Sequence, residues 1–300
     1  MKIIALFLAM GLERLATHLF HWRELRWLDP LFDLGLSNSA RLGRVWPYLW
    51  LVLTLAAAVA PVVILRFTLA DTLLGLPYLA ISVVVLFLCL GPQDIGEEVD
   101  RWCRALSDGD EENERIYGHA LLERGFSGVE TSRGDVPGAV FVQANNRIFA
   151  VIFWFVLLGP IGAWLFRVSD LARRRALFQA ERDNPESEVA PDCERRANDV
   201  HAVLAWLPAR IAAVGYTLAG NYDAGREAWA ARSPDGSLES RNDHLLREVG
   251  LAALSLSREA DEADTAWFIR AARAAKNLAL RTLWFWLVGV AVLTLFGVAV

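Results

Sequence analysis

Three polar residues stand directly before a long apolar run. Asn145, Asn146 and Arg147 precede residues 148–166, which contain no charged side chain. Their amide and guanidinium groups need hydrogen-bonding partners that lipid cannot supply. Arginine also suits recognition of a carboxylate or phosphate, because its planar guanidinium donates two parallel hydrogen bonds. This stretch predicts a polar site at the edge of a membrane segment; the capping and tying of a helix bundle explains the same residues without a ligand.

Two more arginines and one glutamate interrupt or end apolar sequence. Arg167 ends the same apolar run, and Arg210 lies near the centre of the apolar residues 202–219. An arginine at that depth costs about 2.5–3.5 kcal/mol on insertion scales, so it should find a partner or reach the surface. Glu13 divides the apolar N-terminal sequence. We predict that these residues face a bundle interior or the membrane interface, and an interfacial helix that contacts headgroups explains Arg210 equally well.

The composition is that of a membrane protein with aqueous segments. Of the 300 residues 55% are hydrophobic, and the mean hydropathy is +0.31. Charged residues still make up 22%, so they must be concentrated between the apolar runs. The formal net charge of -5 argues against a nucleic-acid-binding surface. The three cysteines and five histidines lack the spacing of a metal site or disulfide framework, and the phosphate-loop, zinc-protease and serine-hydrolase motifs are missing.

The apolar runs predict an all-α, polytopic helical integral membrane protein with cytoplasmic helical loops. Residues 46–65 and 73–91 carry no charge and are long enough to cross a bilayer as a helical hairpin. The last apolar run, 282–300, follows a basic cluster, which puts its start on the cytoplasmic side. Five segments are predicted: N-terminal membrane helices with an interfacial connector (1–91), a cytoplasmic helical loop (92–142), a central membrane core with a kinked span (143–219), a cytoplasmic helical region (220–277) and a C-terminal transmembrane helix (278–300).

The central run 148–166 has two topological descriptions. Gly159-Pro160 predicts a kink, and the basic cluster 173–175 beyond it is the densest in the protein. The positive-inside rule makes both this cluster and the loop 92–142 cytoplasmic, which a single crossing cannot satisfy. Either the run turns back at Gly159-Pro160 as a re-entrant hairpin, or one of the two loops breaks the rule. In the second case the run crosses once, kinked, and residues 202–219 could carry the chain back.

One loop begins like a calcium site. Asp108, Gly109 and Asp110 match the start of an EF-hand loop, but Asn113 and His119 occupy the positions that need glycine and a bidentate glutamate. We predict instead that one helix ends at Gly109 and that Asp110 caps the next helix.

Longer motifs carry a family resemblance. They are Asn146-Arg147, residues 149–155, Leu158-Gly159-Pro160, Gly162-Ala163, Phe166-Arg167, residues 206–210 and 216–221, and Glu13-Arg14-Leu15 with His18 near the start. Over nearly the whole chain these motifs resemble the AmpE family. The resemblance implies a multi-pass protein of the bacterial inner (cytoplasmic) membrane, associated with induction of β-lactamase and usually encoded beside a muropeptide amidase.

The same motifs are more distantly similar to the CobD/CbiB cobalamin-biosynthesis proteins, membrane enzymes that join aminopropanol or its phosphate to a corrinoid carboxylate. The chain departs from their pattern at two places. It reads Gln-Ala-Asn-Asn-Arg at 143–147 where those enzymes carry Glu-Asn and then Asp, and Val-Ser-Asp-Leu at 168–171 where they carry Asn-Thr-Leu-Asp. Acidic metal ligands for activating a carboxylate with a nucleotide are therefore largely missing, which favours a regulatory role.

Three functions stay open, in this order. The first is a regulatory membrane protein that senses a cell-wall-derived ligand such as a muropeptide, or a nucleotide, and that works with a membrane or peptidoglycan-recycling protein partner. The second is a ligase-like enzyme, with Asp170 and Glu13 as the candidate base or metal ligands. The third is a permease or a membrane scaffold. The predicted ligand-binding residues are Asn145, Asn146, Arg147, Arg167, Asp170, Arg210 and Glu13; no catalytic residue and no metal site is predicted, and the expected surroundings are the lipid bilayer and not nucleic acid.

Overall fold

The computed structural model describes residues 2–15, 25–33, 46–69, 76–90, 95–123, 132–182, 189–231 and 235–295. Every regular element within these ranges is helical, and none of them is a strand. The predicted all-α class is confirmed for this part of the chain.

Twelve longer helices lie within the described ranges. A π-helical turn, Asn145–Phe149, continues one of them into the next without a gap. The helices are α1 (Lys2–Leu15), α2 (Trp46–Leu69), α3 (Leu76–Cys89), α4 (Ile95–Asp108), α5 (Glu111–Leu122), α6 (Val136–Ala144), α7 (Ala150–Leu158), α8 (Pro160–Arg182), α9 (Val189–Ala219), α10 (Tyr222–Ala231), α11 (Leu238–Leu254) and α12 (Asp264–Leu295).

The chain forms two compact units that are discontinuous in sequence. Unit 1 contains Met1–Pro92, Ala150–Leu204 and Val290–Val300, and unit 2 contains Gln93–Phe149 and Ala205–Gly289. The four boundaries fall after Pro92, between the π turn and α7, inside α9 and inside α12. The five segments predicted from the sequence divide the chain at other places and stay a prediction.

Unit 1 contains a sharp turn at Gly159. This residue has a φ of +69°, a conformation that favours glycine, and Pro160 begins α8 where its missing N–H costs no hydrogen bond. α8 packs against α7, α2 and α3, and α1 packs against α3. A Cβ added at Gly162 would lie 2.4 Å from the carbonyl oxygen of Trp154, so the two helices meet at close range. The run 148–166 is therefore not one continuous helix but breaks at the predicted kink, and both topological descriptions of the run stay predictions.

The described part of the N-terminal connector is fastened to α8. Arg175 donates from Nε and Nη2 to the two carboxylate oxygens of Asp33, at 2.8 and 2.7 Å. The ring of Trp27 stacks on Trp164 with 6.4 Å between centroids, and Trp164 Nε1 donates to the carbonyl oxygen of Ala58 at 2.9 Å. α8 thus contributes contacts to most elements of unit 1.

Unit 2 is built on an amphipathic helix. In α4 the buried residues Ile95, Val99, Trp102 and Leu106 recur every three or four positions, which is the spacing of one helix face. They join a single hydrophobic core with side chains of α5, α6, α11 and the parts of α9 and α12 that belong to this unit. The sequence predicted helices in the loop 92–142, and α4 confirms helix at this position.

Gly250→Ala is expected to lower the free energy of unfolding by about 1–3 kcal/mol, the usual cost of overpacking a core. The new Cβ would lie 2.4 to 2.7 Å from three ring atoms of Phe141, which is fully buried. Gly289→Ala is the matched control, because no atom lies within 4 Å of its added Cβ and a helical alanine is favoured by about 0.5–1 kcal/mol. Thermal unfolding of the purified full-length protein measures both, and equal Tm values would contradict the packing of α11 on α6.

The predicted helix boundary at Gly109 is confirmed. Gly109 has a φ of +72°, and Asp110 caps α5 by accepting a hydrogen bond from the backbone N–H of Asn113 at 3.1 Å. The Asn113 side chain donates a second bond at 2.7 Å. These bonds, first the one from the side chain and then the one from the backbone, hold the pKa of Asp110 below its ordinary value.

Among the described residues, two helices are long and apolar enough to cross a membrane. They are Arg133–Leu158 and Glu194–Ala219, and their most apolar stretches are 72% and 50% buried within the protein. A buried core helix passes the same test, so length and composition alone do not establish a crossing. Leu51–Leu65 and Pro77–Cys89 are apolar but shorter, and the last residues of the run 282–300 lie outside the described ranges.

Candidate functional site

Arg147 forms a buried ion pair in unit 2. Its Nη1 donates to Glu98 Oε2 at 2.8 Å, and its Nε donates to Gln143 Oε1 at 2.9 Å. Arg147 is 6% exposed and Glu98 5%. Gln143 lies one turn earlier on α6, whereas Glu98 comes from α4, 49 residues away in the chain. The pair therefore fastens α4 to the π turn where water is largely excluded.

The π turn holds an unsatisfied polar atom. Such turns are rare, mostly occur singly inside α-helices, and are frequent at functional sites. Asn145 Nδ2 donates to Asn146 Oδ1 at 3.1 Å. Asn145 is 1% exposed, and no described atom donates to its Oδ1. A buried acceptor without a donor costs about 1–3 kcal/mol, so a donor group on a ligand would be stabilised there.

The polar triplet 145–147 does not stand at the front edge of an apolar helix, contrary to the sequence prediction. The helix that contains it runs from Arg133 to Leu158, and the triplet lies near its middle. α6 has Pro137 in its first turn, where proline is preorganised for a helix. Pro137 and Gly138, residue types that often form turns, therefore lie in the first turn of a buried helix here.

Arg210, also in unit 2, is bound by neighbouring groups. Its Nη1 donates to the carbonyl oxygen of Trp206 at 2.7 Å and to Asn242 Oδ1 at 2.9 Å. Its guanidinium carbon lies 4.2 Å from the centroid of the Trp206 ring, within cation–π range. Of the two outcomes predicted for an arginine in this apolar run, the structure shows a partner on another helix, α11.

Arg167 and Asp170 belong to a second cluster, in unit 1. Asp170 Oδ2 accepts hydrogen bonds from Arg167 Nη1 and Arg174 Nε, both at 3.0 Å, and its Oδ1 accepts from Arg173 Nη2 at 3.2 Å. Asp170 is 0% exposed. Arginines three residues before and three and four residues after an aspartate share one helix face with it, so the spacing on α8 brings them together.

Opposing effects act on the pKa of Asp170. Burial raises it, while Arg174, Arg173, the neighbouring His201 and Arg167 lower it more, so the pKa lies well below its ordinary value. The carboxylate therefore stays ionised at neutral pH and is a weak base. This argues against the role of general base that a ligase-like activity would give to Asp170.

The seven predicted site residues are divided between the two units. Within unit 1 Arg167 contacts Asp170, and within unit 2 Arg147 and Arg210 bind different partners. Only the backbone of Glu13 is described, as part of α1, and its side chain lies outside the described residues. Asn145, Asn146, Arg147 and Arg210 belong to unit 2, and Arg167, Asp170 and Glu13 belong to unit 1.

Several partners in these clusters were missed from the sequence. Glu98 falls on the apolar face of α4, and an acid among buried residues signals a partner, so its pattern could have revealed it. The spacing of Arg173 and Arg174 from Asp170 could likewise have predicted that the three side chains share one helix face. Asn242 carries no signal, because only the tertiary fold brings α11 to Arg210.

Known proteins match the chain at two levels. The family described as "Regulatory signalling modulator protein AmpE" matches residues 1–300. A "Cobalamin biosynthesis protein CobD" from Chromobacterium violaceum is 29% identical over 269 residues, which cover 84% of this chain and 80% of the relative. Another CobD, from Stutzerimonas stutzeri, is 28% identical over 206 residues, which cover 66% of this chain and 63% of that protein. No solved structure gives a significant match.

Both resemblances inferred from the motifs are thereby confirmed. The CobD proteins are relatives that share less than a third of their aligned residues with this chain. The AmpE family match covers the whole sequence. The buried arginine clusters of both units lie within the matched residues. The chain therefore belongs to the AmpE family of regulatory signalling modulator proteins.

Proposed function

We propose that this protein is a multi-pass protein of the bacterial inner membrane that modulates β-lactamase induction by binding an anionic ligand at Arg147. The ligand class is a muropeptide, with its peptide carboxylates, or a nucleotide, with its phosphates. The family supports a regulatory role. The observation that carries the ligand site is the buried Arg147–Glu98 pair on the π turn.

Exposed apolar stripes support the membrane location. Large contiguous apolar patches are rare on soluble monomers, and a bilayer would cover them. The basic residues at 270, 273 and 276 precede the stripe on α12, and by the positive-inside rule they favour the cytoplasmic side for that end. The stripe on α9 is Val203, Leu207, Ile211, Val214 and Leu218, and the stripe on α12 is Leu280, Trp284, Val288 and Val292.

Arg147 has donors to spare for a ligand. A guanidinium carries five N–H groups, and two of those on Arg147 are used by Glu98 and Gln143. The amide oxygen of Asn145 adds an acceptor that lacks a donor among the described residues. A ligand that combines an anionic group with an N–H or O–H donor would satisfy both, and muropeptides and nucleotides each offer that combination.

The pair with Glu98 supplies a route to signalling. A carboxylate or phosphate that binds the remaining N–H groups of Arg147 also competes with Glu98 for its positive charge, and a buried charge that loses its partner costs several kcal/mol, roughly 3–5. A bound anion offsets this cost for Arg147 but not for Glu98, which is left buried without its partner. Ligand binding is therefore linked to the release of Glu98 and, with it, of α4. The altered surface of α4 and α5 is where a membrane or peptidoglycan-recycling protein would detect the change.

Ligand binding to the full-length protein in detergent tests the proposal. The wild type is titrated with a muropeptide, with the same compound after amidation of its carboxylates, and with ATP. Arg147→Lys keeps the charge but loses the planar donor pair, and we expect it to weaken binding by about tenfold or more. Amidation should abolish muropeptide binding if the carboxylates are recognised.

Arg133→Ala is the matched control. Arg133 belongs to the same unit and pairs with Glu114, but its side chain is 43% exposed. It should bind as wild type. If Arg147→Lys binds every compound as tightly as the wild type while remaining folded, Arg147 is not the ligand site. If Arg174→Ala alone loses binding, the site lies at Asp170 in unit 1.

A ligase-like enzyme is the second candidate, because both relatives described above are named for cobalamin biosynthesis. The low pKa of Asp170 counts against this residue as the base. Incubation with ATP and a carboxylate ligand, followed by mass spectrometry, separates the two functions. A covalent product formed by the wild type would favour the enzyme, and unchanged ligand that stays bound would favour the sensor.

A further inference from the structure

The exposed apolar stripe of α9 has a cation on one of its long edges. Successive residues of an α-helix are offset by about 100°, so Trp206 and Arg210 fall to one side of the exposed residues Leu207, Ile211 and Leu218. The Trp206 ring is 44% exposed, and the guanidinium of Arg210 lies over it. An aromatic ring beside a cation is typical of the membrane–water interface. This edge therefore has the composition of an interface, although it lies near the middle of an apolar run.

A helix with charged, exposed side chains runs beside this part of α9. Arg210 donates to Asn242 near the start of α11, and the backbone N–H of Asn221, just after α9, donates to the carbonyl oxygen of Ala253 near the end of α11 at 2.7 Å. The two helices therefore lie side by side over about 15 Å. If α9 crossed the bilayer here, the exposed side chains of α11 would lie in hydrocarbon, which is costly for charged groups. Among these side chains are Arg241, His244 and Glu248.

The contact between α9 and α12 indicates the same level in the membrane. A Cβ added at Gly215 would lie 2.6 Å from Thr282 Cγ2, so the two helices meet closely there. Arg281, the residue before Thr282, is exposed, and the charge-free run that is predicted to cross the bilayer begins at Thr282. Gly215 is therefore level with the point at which α12 would enter the membrane.

We propose that residues 206–219 of α9 lie in the plane of the cytoplasmic membrane surface, where Arg210 binds the phosphate of a phospholipid headgroup. The stripe then faces the acyl chains while α11 stays in water, as in an interfacial amphipathic helix. The carbonyl oxygen of Trp206 and the amide oxygen of Asn242 are neutral, so their bonds to Arg210 do not neutralise its charge, and a phosphate is the anion that a membrane offers at this level. This contact does not depend on a ligand at Arg147 and goes beyond the function proposed above.

Spin labels measure the depth of the stripe in the full-length protein. The native cysteines are replaced by alanine, the stripe residues are changed to cysteine one at a time, and the protein is placed in vesicles of phosphatidylethanolamine and phosphatidylglycerol. An in-plane helix should put every label at one shallow depth, about 5–10 Å into the boundary between headgroups and acyl chains. A crossing helix would change the depth by about 16 Å over the same length. The variants are Leu207→Cys, Ile211→Cys, Val214→Cys and Leu218→Cys.

Two further labels are the controls for depth. Val288→Cys, at an exposed position of α12, should lie deeper than all four labels of α9. His244→Cys, at an exposed position of α11, should be accessible to a water-soluble relaxation reagent. A depth that changes steadily along α9 by about 16 Å, or a label at 244 that lipid shields from the reagent, would overturn the in-plane orientation.

Arg210→Ala tests the headgroup contact. Native mass spectrometry of the full-length protein in detergent measures the binding of dioleoyl phosphatidylglycerol and of dioleoylglycerol, which has the same acyl chains without the phosphate. We expect Arg210→Ala to weaken phospholipid binding by about tenfold or more, because a charge-assisted hydrogen bond is lost. Its binding of dioleoylglycerol should equal that of the wild type.

Two matched variants separate the cation from its surroundings. Asn242→Ala removes a protein partner of Arg210 but keeps the cation, and Arg226→Ala removes an exposed cation from α10 in the same unit. Both should bind the phospholipid as the wild type does. Equal phospholipid binding by Arg210→Ala and the wild type, or an equal loss in Asn242→Ala, would contradict the headgroup contact. Displacement of the phospholipid by inorganic phosphate would indicate a site for a free anion and would also overturn it.

Discussion

Asp170→Ala is expected to lower the free energy of unfolding by about 3–5 kcal/mol, the cost of removing one partner from a buried ion pair. The carboxylate is completely buried and accepts hydrogen bonds from Arg167, Arg173 and Arg174. Without it these like charges on one helix face repel each other. Since a domain is typically stable by only about 5–15 kcal/mol, the loss should be visible as a large fall in Tm.

The pKa of Asp170 also predicts a pH dependence. Its folded-state pKa lies below the value of about 3.9 expected in the unfolded chain, so the unfolded state takes up a proton first as the pH falls. The stabilisation is therefore complete above the unfolded pKa and is lost as the pH falls below about 4. Denaturation of the wild type and of Asp170→Asn should converge in acid and separate near neutrality.

Asp261→Asn provides the control for charge alone. Asp261 is exposed, and replacements at such positions usually change stability by about 0.5 kcal/mol or less. A difference between wild type and Asp170→Asn that stays constant from neutral to acid pH would contradict an ionised, arginine-bound Asp170.

Features set by neighbouring residues were predictable from the sequence. The end of α4 at Gly109 and the cap at Asp110 depend only on glycine geometry and one local hydrogen bond. The turn at Gly159 likewise depends on a positive φ that glycine allows and on the proline that follows. In each case the residue that predicts the helix end, cap or turn is also the residue that forms it.

The π turn has no comparable signal. Residues 145–149 contain neither proline nor glycine, and an ordinary α-helix would satisfy their local preferences. The packing of Phe149 against Tyr216 and Trp286, at 5.8 and 5.2 Å between ring centroids, and the bond from Arg147 to Glu98 all involve distant parts of the chain. Such tertiary contacts override local propensity, so the register of this helix was not predictable.

The assignment of the predicted site residues to two units was not predictable for a related reason. Arg147 and Arg167 are close in the sequence, and both flank the run 148–166, which suggested one site. The boundary between the units falls after Phe149, so the two arginines are assigned to different units. The charge and hydrogen-bonding capacity of the two arginines follow from residue type. Their partners depend on tertiary packing, because successive stretches of the chain belong to different units.

The Arg147–Glu98 pair should show strong coupling in a double-mutant cycle. Arg147→Met and Glu98→Met are each expected to destabilise the protein by about 3–5 kcal/mol, because each leaves the other charge buried and unpaired. The double variant removes both charges and should recover a large part of that loss, giving a coupling energy of about 2 kcal/mol or more. Recovery should be incomplete, since Gln143 Oε1 loses its donor.

The Arg133–Glu114 pair is the exposed reference for this double-mutant cycle. It has a comparable distance, 2.6 Å against 2.8 Å, and belongs to the same unit, but its side chains are 43% and 13% exposed against 7% and 7%. Its coupling should be about 0.2–1 kcal/mol. If unfolding in denaturant gave the same small coupling for both pairs, Arg147 and Glu98 would have to be hydrated in solution. The release of Glu98 by a ligand would then cost too little to act as a signal, and the proposed link between ligand binding and α4 would fail.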